Sequence, residues 1–222
     1  MATSLTESAS ESRPADQSFV KATVFRSKRA RALAVGLALA GLVSGCGKPF
    51  NVKTAPDMRE RDFGSRAASS GVSLQAAAIT DEDVLYDTFD ANLIMAGLLP
   101  MRVEVSNESV GPLNLKGARF ELRQSSPPGA IRPIDARRAF KRLVLFYGVT
   151  TYQIRGYRQS EQDFLSHALD VTSPLGAGES RQGLLFFPLR GEFDKATPSS
   201  LVVRGIRIGQ GSSDVRFELK LN

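Results

Sequence analysis

Side chains that commonly carry chemistry are scarce in this chain, which has one cysteine, Cys46, and one histidine, His167. A single cysteine excludes an intramolecular disulfide, and a zinc site needs several cysteine or histidine ligands. A catalytic nucleophile needs an adjacent base, yet the serine beside His167 lies outside any G-x-S-x-G turn. We therefore predict a protein that is not an enzyme and has no metal site.

Signatures of other ligand sites are also missing. The glycines of residues 205–211 suit a hairpin turn better than a phosphate-binding loop. The acidic residues 81–83 lack the spacing of a calcium loop, and they suit the first turn of a helix, where the helix dipole favours negative charge. We predict no cofactor.

The net charge of +6 and the pI near 9.7 would by themselves suggest nucleic-acid binding. Residues 1–45, however, contain six of the 29 basic and three of the 23 acidic side chains, so the remainder carries only +3. The basicity therefore belongs largely to the N-terminal segment, and we predict no nucleic-acid partner.

The N-terminal segment has the three parts of a secretory leader. Lys28, Arg29 and Arg31 give a basic end, residues 32–43 an apolar core, and residues 44–45 are small. The apolar core is too short to span a bilayer, which takes about 20 residues. Residues 1–27 precede this leader, and we interpret them as a polar stub or as lying upstream of the true translation start.

The leader ends in VSGC, residues 43–46, which resembles the lipobox of bacterial lipoproteins. The resemblance implies that the Cys46 thiol carries diacylglycerol, that the leader is cut before it, and that the new amino group is acylated. Two or more acyl chains anchor a protein stably to a membrane. Gly47, in place of an aspartate, implies transfer to the outer membrane, facing the periplasm, in a host with two membranes. The alternative is a buried cysteine behind an ordinary signal peptide or an N-terminal helix.

The chain then divides into a flexible tether over residues 46–70 and one domain over residues 71–222. The tether is predicted from its charge and its Ser, Ala, Pro and Gly content, without apolar periodicity. In the domain, alternating apolar residues predict six strands, at 72–79, 101–106, 113–123, 183–189, 201–208 and 215–221. Gly117 interrupts the alternation of the third strand and predicts a bulge there.

Helical periodicity appears in three places. We predict helices capped by Thr80, Asp135 and Ser160, the first closing at Gly97. The fold class is therefore mainly β: an antiparallel immunoglobulin-like β-sandwich with two or three inserted or flanking α-helices, the helical insertion lying at about residues 135–169.

Two further stretches, VEVSNESVGPLNLKGARFEL and LGAGESRQGLLFF, are similar to small immunoglobulin-like domains of bacterial surface proteins. More distantly, they resemble the water-stress type of late-embryogenesis domain. The resemblance implies turn-forming roles for Asn107 and for residues 178–179. It also implies a third function, the protection of other proteins from aggregation during drying.

One stretch interleaves basic residues with tyrosines, and such side chains bind phosphate or carboxylate groups and offer flat contact area. A solvated helix face with tyrosines partly in the core is the alternative. As the hypothesis we take this stretch to contact anionic lipid headgroups, peptidoglycan carboxylates or an acidic envelope protein. Its residues are Arg137, Arg138, Lys141, Arg142, Tyr147, Tyr152, Arg155, Tyr157 and Arg158.

These features together predict a lipid-anchored envelope protein that acts as a non-catalytic interaction or assembly module. Its partners would be the membrane, through Cys46, and another envelope protein or peptidoglycan. The second possibility is an accessory enzyme or a substrate-capture subunit of a transport or cell-wall complex. A pocket with convergent carboxylates, or one around His167, would favour that second possibility.

Overall fold

The computed structural model describes residues 50–53, 63–124, 129–149, 154–189, 198–209 and 214–221. All of them belong to one compact unit, Cys46–Asn222. The predictions for the leader and for Cys46 therefore lie outside the described residues, as does Tyr152.

Within the described residues the chain forms nine strands and three helices. The strands are β1 Ser65–Ser69, β2 Val72–Ala78, β3 Leu98–Asn107, β4 Leu113–Asn114, β5 Arg119–Gln124, β6 Gly129–Ile131, β7 Ser180–Pro188, β8 Pro198–Ile208 and β9 Asp214–Lys220. The helices are α1 Glu82–Phe89, α2 Ala136–Phe146 and α3 Ile154–Leu165.

Two antiparallel sheets face each other. The first has the order β1-β2-β3-β7, and the second has the order β4-β8-β5-β6, with β9 also paired to β8. Alternate side chains of both sheets point inward and form an aliphatic core, as strand geometry requires. We call this the sandwich core; it confirms the predicted fold class, a mainly β antiparallel sandwich with helices.

The helices pack on the outer face of the first sheet and form a second core. Strand β7 serves both cores, because Leu185 and Phe187 face the sandwich core while Leu184 and Phe186 face the helices. Five buried phenylalanines lie in this helical core, and the rings of Phe164 and Phe186 stack with centroids 4.9 Å apart. The helices therefore cover a hydrophobic sheet face that would otherwise be exposed.

The chain passes very close to β7 at Gly183. Leu169 N–H donates to the Leu184 carbonyl, and Leu184 N–H donates to the His167 carbonyl. A Cβ at Gly183 would lie 2.3 Å from the Leu169 Cα, so only glycine fits against this segment.

The predicted tether is wrong for two stretches. Residues 65–69 form β1, which pairs with β2 although its sequence carries no apolar alternation. Phe50 and Val52 are buried in the helical core. Two apolar side chains are enough to dock a short segment on the domain. Within a polar stretch they form no periodic pattern, so the sequence did not indicate that this segment is buried.

Four boundary predictions are also corrected. The first helix is capped by Asp81, not Thr80, and ends at Asp90 in left-handed conformation instead of continuing to Gly97. Ser160 lies inside α3, not at its start. Gly117 occupies the turn between β4 and β5, and the register shift falls in β8 next to Gly205, whose φ is +84°.

Candidate functional site

Helix α2 presents a basic surface opposite its buried side. Asp135 caps the helix by accepting the Arg138 N–H at 2.9 Å, as predicted. Phe140 and Leu143 point into the helical core. The exposed side carries Arg138, Lys141, Arg142, Leu145 and Phe146 at helical spacing. We call these five residues the α2 face.

The basic side chains in and near this face differ in what they contact. Arg138 pairs with its own cap Asp135 at 3.0 Å, and Arg137 approaches Glu161 of α3 at 3.7 Å. The Arg142 Nε donates to the Ala96 carbonyl at 2.8 Å. Lys141 makes no ion pair within the described residues. The Arg138–Asp135 pair is exposed and therefore contributes little stability. The surface is positive because Lys141 and Arg142 have no carboxylate partner among the described residues.

The tyrosines of the predicted patch do not join the α2 face. The Tyr147 hydroxyl receives the Asn92 N–H at 3.0 Å, and its ring meets Phe50 with centroids 5.8 Å apart. Burial raises the pKa of Tyr147. Tyr157 packs edge-on against Phe140. Both tyrosines thus brace the helical core, which was the alternative interpretation of the pattern.

The remaining members of the predicted patch lie apart from the α2 face. Arg158 is exposed on α3, and Arg155 belongs to the same helix, its side chain outside the described residues. Among the described patch residues, the structure therefore brings together the basic residues of α2, with Tyr157 of α3 near Arg137.

Sequence reasoning missed an apolar component of this surface. Leu145 is 70% exposed and Phe146 49% exposed at the C-terminal end of α2. Tyr86 of α1 and Met95 are exposed as well. The helical periodicity could have revealed this component. Leu145 and Phe146 fall outside the buried stripe of α2, so their apolar side chains must face solvent.

Residues 50–53, which we call the strap, are hydrogen-bonded to two of the helices. The Ser160 hydroxyl donates to the Phe50 carbonyl at 2.8 Å, and the Lys53 N–H donates to the Thr88 carbonyl at 3.0 Å. The Asn51 N–H donates to Asp90 Oδ2 at 3.0 Å. Together with the buried rings, these bonds fix the strap to α1 and α3.

His167 completes the attachment of the strap. It is 1% exposed, its Nε2 lies 2.7 Å from the Lys53 carbonyl oxygen, and its ring packs on Phe89. The carbonyl can only accept, so Nε2 carries the proton. Nδ1 is buried with no hydrogen-bond partner in the described structure. Burial lowers the pKa of His167, and this geometry suits a structural role.

A cleft of about 570 Å³ lies between the N-terminus of α2 and the sandwich. Its floor is apolar and includes Phe120, Leu169 and Leu185, and its polar edge includes Arg119 and Arg132. Asp135 also lines it, but that carboxylate is engaged by Arg138. The cleft includes neither His167 nor converging carboxylates.

The part of the chain that the structure describes holds no group of three His, Cys, Asp or Glu side chains placed to bind a metal ion. Among the same residues, no helix has the length and apolar character needed to span a membrane.

Comparison with known proteins gives distant structural similarity only. No family model and no curated protein sequence matches the chain. Of the solved structures that match, three have TM-scores of 0.34 to 0.37. The first, ycdA of Bacillus subtilis strain 168, is described as a "putative lipoprotein"; it is 15% identical over 72% of this chain, which spans 39% of ycdA.

The second is the secreted protein MPT63 of Mycobacterium tuberculosis, 14% identical over 71% of this chain and 95% of its own. The third is the yjhA protein of Bacillus subtilis, 15% identical over 73% of this chain and 99% of its own.

Proposed function

We propose that this protein is an envelope lipoprotein, anchored by acyl chains on Cys46, whose sandwich domain is a non-catalytic interaction or assembly module. In a host with two membranes the anchor would lie in the outer membrane, facing the periplasm. The module would hold another envelope protein or peptidoglycan close to that membrane.

One observation carries this proposal. The lipobox-like sequence ends at Cys46, four residues before Phe50, where the chain enters the folded domain. Cleavage before Cys46 would therefore remove the leader and leave the strap and both cores intact. A lipidated cysteine at this place holds the domain directly at a membrane.

The arrangement of polar groups supports a non-catalytic role. His167 is buried with a lowered pKa and has no serine or cysteine nucleophile on its free nitrogen. The carboxylate that lines the cleft, Asp135, is paired with Arg138, and Arg132 at its edge contacts Glu121. A general acid or base must lie in a cleft, within hydrogen-bonding reach of a substrate, whereas His167 lies outside the cleft and Asp135 is held by Arg138.

The anchor is tested by intact mass and membrane fractionation of the full chain expressed in bacterial cells. We expect a product that begins at Cys46, carries the mass of two or three acyl chains and stays with the membranes. Cys46→Ala should give an unacylated protein, and Ser44→Ala, which keeps a small residue in the lipobox, should behave as the wild type.

A soluble, unacylated wild-type product would overturn the anchor and the module proposal with it. If the anchor is present, crosslinking in cells identifies the partner, and we expect a discrete crosslinked envelope protein or peptidoglycan. Turnover of a cell-wall substrate by the purified protein would overturn the non-catalytic role.

The cleft favours a second candidate, a subunit that captures an apolar molecule with an anionic end. Its apolar floor and the two arginines at its edge have that complementary chemistry. Decanoate should then raise the unfolding temperature of the wild type, and Val171→Trp, which fills the cleft, should abolish the rise. No shift in the wild type would eliminate this candidate.

A further inference from the structure

The short distance in sequence between Cys46 and the strap limits how far the domain can lie from the proposed anchor. Phe50 lies four residues after Cys46, and an extended chain spans at most roughly 3.6 Å per residue. The Phe50 Cα is therefore held within about 15 Å of the Cys46 Cα. The proposed anchor would therefore hold Phe50, and the part of the helical core that its ring contacts, close to the membrane.

The first residue of the strap, Phe50, reaches the C-terminal end of α2 with its ring. The Phe50 ring contacts Tyr147, and the Tyr147 ring contacts Phe146 with centroids 5.1 Å apart. The exposed Phe146 is thus connected to Phe50 through the single ring of Tyr147, and the exposed Leu145 is its neighbour in the chain. The opposite end of the sandwich, with the fully exposed Val110, is separated from this side by the ten-residue strand β3, about 30 Å long.

The chemistry of the α2 face matches an anionic lipid surface. Lys141 and Arg142 carry charges that no described carboxylate neutralises, whereas the charge of Arg138 is shared with its cap Asp135. Leu145 and Phe146 extend beside these charges at the end of the helix. Positive charge attracts lipid phosphate, and apolar side chains enter the boundary between headgroups and acyl chains.

We propose that the α2 face rests on the anionic membrane surface in which Cys46 is anchored, with Leu145 and Phe146 inserted among the headgroups. The proposal rests on the proposed function, since the lipidated cysteine brings this face to the bilayer. The domain then stands in one orientation, with the Val110 end directed away from the membrane.

The test supplies the anchor chemically, so that its outcome does not depend on lipidation in cells. The unit Cys46–Asn222, which contains both cores, is coupled through its single thiol to a maleimide lipid. The vesicles contain phosphatidylglycerol and phosphatidylcholine, with acyl chains brominated to quench fluorescence. Because the chain has no tryptophan, Leu145→Trp and Val110→Trp each introduce a single probe.

We expect bromolipids to quench Leu145→Trp strongly and to leave Val110→Trp unquenched. Equal quenching of the two probes, or none at Leu145→Trp, would overturn the proposed orientation. The mass measurement described above would still stand, so failure of the docking face and failure of the anchor remain distinguishable.

Charge is tested with matched reversals in the Leu145→Trp background. Arg138→Glu with Lys141→Glu should reduce the fraction of quenched probe about tenfold or more. The control, Arg216→Glu with Lys220→Glu, changes the net charge equally on the outward side of β9 and should have no effect. Quenching that persists in the first variant, or in pure phosphatidylcholine vesicles, would overturn recognition of an anionic surface.

Discussion

The two cores of this domain are built from different kinds of sequence. The sandwich core consists mainly of aliphatic side chains that alternate along strands, such as Val72, Leu74 and Ala76 in β2. The helical core collects aromatic rings from distant segments, such as Phe50, Phe89 and Phe164. Regular alternation places the apolar side chains of a strand on one face, so each strand shows which face is buried. The helical core forms only after the strap, the three helices and β7 have come together.

The largest expected effect comes from removing the ring at the centre of the helical core. Phe164 lies 4.9 to 5.4 Å from the rings of Phe89, Phe140 and Phe186. Phe164→Ala should lower the free energy of unfolding by about 3–5 kcal/mol, measured by denaturant titration. The half-exposed Phe146 gives the control, since Phe146→Ala should cost about 1 kcal/mol or less.

Hydrogen exchange of the Phe164→Ala variant tests whether the two cores are independent. We expect amide protons of α2 and α3 to lose more protection than those of β8, because the sandwich core keeps its contacts. An equal loss in all three elements would show that the cores open together through their shared strand β7.

Asn107 holds the end of the sandwich far from the helices. Its amide nitrogen donates to the carbonyls of Gly111, Leu175 and Gly176, and its oxygen accepts from Ser109. Asn107→Ala would leave several of these buried groups unpaired and should cost about 2–3 kcal/mol. The same titration with Asn114→Ala, which removes one exposed bond to Lys116, should show about 0.5 kcal/mol.

A comparable loss in both asparagine variants would contradict the role of Asn107 as the tie between the 107–112 turn and the loop before β7. We expect the Asn107→Ala variant to retain the protection of the α3 amides, because this tie belongs to the sandwich end.

A single methyl group at Gly183 tests how tightly the segment after α3 lies on β7. Gly183→Ala forces its Cβ into the Leu169 backbone, and we expect a loss of about 1–3 kcal/mol from overpacking. Gly129→Ala in β6 meets nothing within 4 Å, so it should change stability by less than about 0.5 kcal/mol. Similar effects in thermal unfolding would contradict the close approach.

The smallest effect is a pH dependence confined to the helical side. Burial lowers the folded-state pKa of His167, so the unfolded chain takes up this proton first as the pH falls below about 6.5. The contribution of His167 to the free energy of unfolding is thus fully present above that pH. It decreases as the pH falls toward the folded-state pKa, by at most about 1.4 kcal/mol per pH unit for one proton.

Chemical denaturation between pH 7 and 5 measures this slope. His167→Gln, which can still donate to the Lys53 carbonyl, should lose most of it. Hydrogen bonds from Thr172 and Ser173 lower the pKa of Asp170, so its stabilisation disappears only below about pH 4 and does not overlap. An unchanged slope in His167→Gln would exclude His167 as the source.

The sandwich core was easier to predict from the sequence than the helical core. The long strands and the exposed side of α2 were predictable, because alternation and helical spacing are local patterns. Strand β1 was not, since SRAAS owes its conformation to pairing with β2. The strap was not predictable either, because nothing near Phe50 indicates that Ser160 and His167 will bind its backbone. Tyr147 and Tyr157 looked like surface residues and proved to support the core.

The strap also has a consequence for the order in which the molecule forms. Phe50 binds Ser160 and Lys53 binds His167, across sequence separations of 110 and 114 residues. Contacts between such distant segments carry a large loop-closure cost and form late. A chain that crosses a membrane from its N-terminus would present Cys46 before α3 has emerged. Under the proposed function, the enzymes that acylate Cys46 would then act on a chain that has not yet folded, and the docking of the strap onto α1 and α3 would complete the fold afterwards.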